Sequence, residues 1–177
     1  MKQPEIRTIT EQQWETLRRE TYNTINMILT GVETFLQNKH NSYGKADPEV
    51  LLIAGLLSHA VEEYGKLVYL KSLSVNNGNV DIEYNHDKFK NHNYKIKLAI
   101  DNLPSSCTLV KRGAFDPKAF QKSAFDTGIE ADWQTRLDIF NTDLDDNGEV
   151  KKYPPVDFDT LKNAAIEFRK EVNKTTS

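Results

Sequence analysis

The stretch "VLLIAGLLSHAV", Val50 to Val61, is the most apolar run in the chain and restricts its fold more than any other feature. A bilayer-spanning helix needs about 20 apolar residues. This run is shorter and has a histidine inside it, so it reads as a core helix. Asp47 followed by Pro48 supplies an N-cap and a first helical residue just before it. The helix runs from there to about Leu73, where "SVNNGNVDIEYNH" breaks it.

The rest of the chain follows the same periodicity. Thr10 and Gln13 form the two ends of a capping box. Behind them Trp14, Leu17, Thr21, Ile25, Ile28, Val32, Phe35 and Leu36 recur at mostly helical spacing, to an end near Asn38. "KHNSYGKADP" is a loop. A third helix is expected from about Asp87, with Phe89, Ile96, Ile100 and Leu103 as its apolar stripe, ending where Pro104 blocks it. "DPKAFQKSAF" reads as a short helix capped by Asp116, and residues 129 to 140 as another. "DIFNTDLDDNGEVKKYPP" then reads as two short extended pieces around an Asp-Asn-Gly turn. Asp157 to Val172 closes the chain as a helix. The expectation is a single all-α domain over residues 1–177, an antiparallel helical bundle with one short irregular or β-hairpin-like excursion near 138–155.

Composition narrows the function classes. Over 177 residues the chain is 38% hydrophobic and 28% charged with net charge −3, an ordinary globular balance. A pI near 5.8 argues against broad non-specific binding to nucleic acid, and leaves room for a local basic site. "MKQPEIRTITEQQW" lacks the apolar stretch of a secretory signal. The single cysteine, Cys107, cannot close an internal disulfide. The expected location is the cytoplasm, with no membrane span.

Two segments carry candidate chemistry. At about 100° per residue, Leu52, Leu56, Ala60, Glu63, Leu67 and Leu70 share one sector of the second helix. Glu63 therefore falls on the apolar face, where a carboxylate needs a partner. Glu62 falls toward the edge, beside His59 and Lys66. In "HDKFKNHNYKIK", His92 lies on the inward side, while Lys88, His92 and Lys95 line up at i, i+4 and i+7. Lys90 and Lys97 fall on other faces. Facing one another, these two sets are either a structural ion-pair lock or a site for a phosphate-bearing substrate, with histidine as acid or base and lysines neutralising charge.

Other patterns are weaker. "DLDDNGEVKKYP" begins like a calcium loop, with Asp143, Asp145, Asn147 and Gly148 in place. It has Pro154 where the bidentate glutamate belongs, so it reads as a turn. His40 and His86 stand alone, and no zinc signature or glycine-rich phosphate loop exists. No metal or cofactor is expected.

Three segments together resemble the AbiV family of abortive-infection (phage-defence) proteins, within the HEPN superfamily of helical domains. "HAVEEYGKLVYL" is similar to the family's Glu-Glu-x-Gly-Lys helix. "DKFKNHNYK" is similar to its following basic segment, and "RLDIFNTDLDDNGEVKKYPP" to its later arginine, acidic turn and proline. In order they cover about residues 45 to 156. The resemblance implies a helical bundle, a homodimer and a metal-independent ribonuclease with a composite site across a two-fold axis. It implies His92 as general acid or base toward the RNA 2′-hydroxyl, Lys88 and Lys95 on phosphate with Lys66 adding a contact, and Glu62 or Glu63 as orienting carboxylate. RNA and a phage-encoded activator protein are the partners it implies. HEPN ribonucleases usually carry an arginine several residues before the histidine. Here Lys88 stands in that place and lacks the bidentate fork. Some HEPN domains are non-catalytic, so the alternative is a helical module binding a phage protein or translation component.

Overall fold

A computed structural model describes residues 5–38, 48–84, 88–111 and 158–175. Over these the chain is mostly helical, with one small two-stranded antiparallel sheet. Strand β1 (Ile6–Thr10) leads directly into helix α1 (Glu11–Asn38). Helix α2 (Pro48–Ser72), strand β2 (Asn79–Glu83), helix α3 (His92–Asn102), a single turn α4 (Thr108–Lys111) and a closing helix α5 (Phe158–Lys174) follow.

The Thr10 capping box forms in both directions. The Gln13 amide donates to Thr10 Oγ1 at 3.2 Å, and the Thr10 amide donates to Gln13 Oε1 at 2.9 Å. α1 then buries Trp14, Thr21, Ile25, Leu29, Val32 and Leu36. Its indole anchors the start of the helix, with Trp14 Nε1 donating to the Leu70 carbonyl at 2.9 Å. α2 is central. It packs against both α1 and α3, and it is buried on nearly every side, from Val50 and Ile53 to Tyr69 and Leu70. At the far side Arg169 of α5 reaches α1, donating to Glu33 at 2.9 Å and to Asn26 Oδ1 at 2.6 Å.

The ribbon is the main departure from an all-α expectation. β1 and β2 pair from Ile6 opposite Glu83 to Thr10 opposite Asn79. Asn76 and Asn79 exchange amide hydrogen bonds of 2.8 and 3.0 Å across Asn77 and Gly78, both at positive φ. Asn-Gly at positive φ makes the primed turn whose twist matches a right-handed ribbon. That turn sits in the segment read only as a helix break. Val80 and Ile82 point inward onto Trp14, Tyr69 and Leu70, while Asn79 and Asp81 point out. The alternation that makes a strand is thus present but only five residues long.

Helix α3 also starts later than expected, at His92 rather than near Asp87. Asn91 Oδ1 accepts from the Tyr94 amide at 3.0 Å, which makes Asn91 the N-cap and leaves Lys88 in a turn before the helix. It ends at Asn102, with Leu103 as its C-cap just before Pro104, in line with the sequence. The expected helices at Asp116 and at 129–140, the excursion near 138–155 with Asp143 to Pro154, and His40 and His86 lie outside the described residues.

One contact sets the separation of α2 and α3. A Cβ placed on Gly65 would lie 1.7 Å from the Lys95 carbonyl oxygen and 3.2 Å from the Ala99 amide nitrogen. The obstacle is backbone, which cannot turn aside as a side chain can. Gly65→Ala is expected to force the helices apart and to destabilise the protein by about 3 kcal/mol or more, the upper range for overpacking. Urea unfolding measures this; a gain in stability, as for Gly→Ala at an exposed helix position, would contradict the contact.

Candidate functional site

The close approach at Gly65 brings one edge of α2 against the first turns of α3. Residues 62, 65, 66 and 69 of α2 lie at helical spacing along that edge. Glu62 sits at its head. Its side chain is almost wholly buried, at 1% exposure. His92 Nδ1 and Lys95 Nζ both lie 2.6 Å from the same Glu62 oxygen, Oε1. His59 Nδ1 is 3.8 Å from Oε2, one turn back on α2.

Glu63, expected to be the inward carboxylate, is instead bound to Lys66 at 3.1 Å, within its own helix. The wheel placed Glu63 on the apolar face, and Glu63, Ala60, Leu67 and Leu70 of that sector are buried, while Leu52 is 43% exposed. A second buried stripe runs through Ile53, Leu57, Val61 and Tyr64, and the contact of Glu62 with α3 was not read from the wheel. Both glutamates are buried, because α2 is covered on more than one side.

The protonation pattern at the histidine follows from donor chemistry. An ionised carboxylate only accepts hydrogen bonds. The Lys95 ammonium on the same oxygen favours the ionised form. Nδ1 of His92 is therefore the protonated nitrogen, and in the neutral ring Nε2 is the basic one. Burial holds the imidazole below its usual range, helped by the positive charge of Lys95 and by His59, against the opposing carboxylate of Glu63. Lys95 is likewise held below the usual lysine range, first by burial and then by Lys66, with Glu63 opposing.

Lys95 is only 6% exposed and is committed to Glu62. It fits a charge clamp on the carboxylate better than the phosphate contact expected from its place in the line of lysines. Lys88 departs further. It lies before the helix and binds Glu83 of β2 at 2.9 Å, so Lys88, His92 and Lys95 do not form one helical line. His92, Lys95 and Lys66 do line a common groove of about 640 Å³, together with Phe89, Lys90, Asn91 and Asn93. Lys90 and the two asparagines were not singled out from the sequence. Asn91 had a readable signal, as a cap three residues before Tyr94. Lys90 had none, because its position depends on the turn that replaces the expected first helical turn.

The groove thus combines a half-exposed imidazole with a buried carboxylate behind it and cationic side chains around it. Such an arrangement can remove a proton from a hydroxyl and hold an anionic neighbour. Among the described residues no group of three or more His, Cys, Asp or Glu side chains is placed to hold a metal ion. No helix among them is long and apolar enough to cross a membrane.

Two outcomes follow. Glu62→Gln leaves the Lys95 ammonium buried without its counter-charge and is expected to destabilise by about 3–5 kcal/mol. The double change Glu62→Leu with Lys95→Met is expected to recover most of that in denaturant unfolding, and equal losses in both proteins would contradict the clamp. The His92 ring, held below its ordinary value, contributes stability present above that value and lost as pH falls through the folded-state value. Wild type is therefore expected to lose more stability than His92→Gln between about pH 7 and pH 5, and parallel pH profiles would assign the acid sensitivity elsewhere.

Compared with known proteins, the chain matches no family model, no curated protein and no solved structure.

Proposed function

We propose that this chain is an abortive-infection antiphage protein of the AbiV type, with a HEPN-like bundle, acting in the cytoplasm as a metal-independent endoribonuclease. The observation that carries the reading is the Glu62-held imidazole of His92 on a lysine-rich groove. A carboxylate bound to Nδ1 holds the ring in one tautomer, and its other nitrogen then serves as a base near neutral pH.

In this reading His92 Nε2 takes the proton of an RNA 2′-hydroxyl. The freed oxygen attacks the adjacent phosphorus, the bond to the 5′-oxygen breaks, and a 2′,3′-cyclic phosphate remains. The leaving 5′-oxygen takes up a proton, which the imidazolium formed at His92 in the first step returns through solvent. Lys66 and Lys90 neutralise charge on the phosphoryl oxygens. Lys95 and Glu62 act through His92 as positioning residues. RNA is the substrate, and a phage-encoded protein is the activator.

A second reading has its own support. The Glu62–Lys95 pair is buried where α2 and α3 cross, as expected of a polar lock in a non-catalytic module that binds a phage protein or a translation component. The two readings separate on one variant. Purified wild type incubated with total RNA in the presence of EDTA is expected to cut it, and His92→Ala to cut at least about 100-fold more slowly while remaining folded. No cleavage, or equal cleavage by both, would rule out the enzyme. A stable His92→Ala protein without antiphage protection would count against the lock.

A further inference from the structure

The groove is continued by a run of stacked planar groups that leads out to the β-ribbon. The guanidinium carbon of Arg7, on β1, lies 3.4 Å from the ring centroid of Tyr84, just beyond β2. The Tyr84 and Phe89 rings stack at 5.4 Å between centroids with 26° between their planes. Lys90 Nζ is 4.4 Å from the Tyr84 centroid, and Lys66 Nζ is 5.4 Å from that of Phe89. Phe89, Lys90 and Lys66 also line the groove beside His92, so the run and the groove are continuous. Core packing alone does not explain its outer end, since Arg7 is on an exposed strand and Lys90 is exposed.

We propose that Arg7, Tyr84, Phe89 and Lys90 form a track for single-stranded RNA that delivers the strand to His92. The proposal rests on the ribonuclease reading for its destination, not for its own evidence. Guanidinium planes and aromatic faces extend the stack of unpaired bases with little regard to sequence. Cations set between them meet the phosphates. Duplex RNA keeps its bases within its own stack and has nothing to offer such a surface. Among the described residues the acidic side chains nearby are already engaged: Glu5 with Arg7 at 2.9 Å, Glu83 with Lys88 at 2.9 Å, and Asp81 accepting from Thr8 at 2.6 Å. This leaves Lys90 as the phosphate contact nearest the rings.

The test uses the full chain carrying His92→Ala, so that bound RNA survives, and reads fluorescence anisotropy of a labelled single-stranded oligoribonucleotide and of a hairpin duplex. Arg7→Gln and Phe89→Leu are each expected to weaken single-strand binding by about tenfold. Lys90→Gln is expected to lower the salt dependence of binding. Lys97→Gln, the same charge change on an exposed face of α3, is expected to leave binding unchanged. Phe89 is packed against Tyr69, so its variant is judged only at an unchanged melting temperature, and Arg7→Gln carries the test if it unfolds. Single-strand binding indifferent to both changes, or duplex bound as tightly as single strand, would overturn the track. If the protein never cuts RNA yet binds it through Arg7 and Phe89, the nuclease reading falls and the track stands. If Arg7→Gln abolishes antiphage protection while RNA binding is intact, the surface holds a protein and the track is wrong.

Discussion

The backbone approach between α2 and α3 at Gly65 is the constraint on which the rest of the site depends. With any side chain there, the Lys95 carbonyl would have to retreat, and the Glu62 carboxylate would move away from His92 and Lys95. The contacts to Glu62 are short because the helices are close, and the helices are close because residue 65 has no Cβ. The Glu-Glu-x-Gly-Lys pattern is then physically coherent. The glycine sets the helix separation, the first glutamate crosses to α3, and the second glutamate holds the lysine one turn along.

Sharing one carboxylate oxygen between an imidazole and an ammonium has a chemical consequence. With the ring neutral, the three groups together carry no net charge, which is the state a buried cluster tolerates best. Adding a proton to His92 would leave a net positive charge beside the already desolvated Lys95. The arrangement therefore disfavours a resting imidazolium, although a carboxylate in contact with Nδ1 would by itself favour one. Lys95 thus adds to burial, the larger cause, in keeping the ring below its usual range and ready to accept a proton.

Much of the helical framework was legible from sequence, and the reasons for the rest are local. The Thr10 capping box, the Pro48 start and the Pro104 stop were readable because each is decided by a few adjacent residues. β1 and β2 were missed because a strand of five residues is decided by a partner some 70 positions away, and "IRTIT" has no strong alternation of its own. The start of α3 shifted because Asn91 competes successfully as a cap, which changed the neighbours of Lys88 and Lys90 together. Which of Glu62 and Glu63 crosses to α3 was not decided, because a wheel finds one apolar face, and α2 has more than one. Histidine, the two glutamates and Lys95 were all identified as types, but their pairing is a property of how two helices cross.

Between β1 and α1 there is no connecting residue at all, since the strand ends at Thr10 and the helix begins at Glu11. The Glu11 amide donates to the Gly78 carbonyl at 2.9 Å, so the joint is also fastened to the turn of the ribbon. Truncating the chain through Thr10 would therefore remove three things in one cut: the helix cap, the strand that pairs with β2 among the described residues, and part of the cover over Trp14. What looks on paper like trimming a polar N-terminal tail would act as damage to the interior. It would also expose an edge strand carrying Val80 and Ile82, the kind of edge along which chains aggregate.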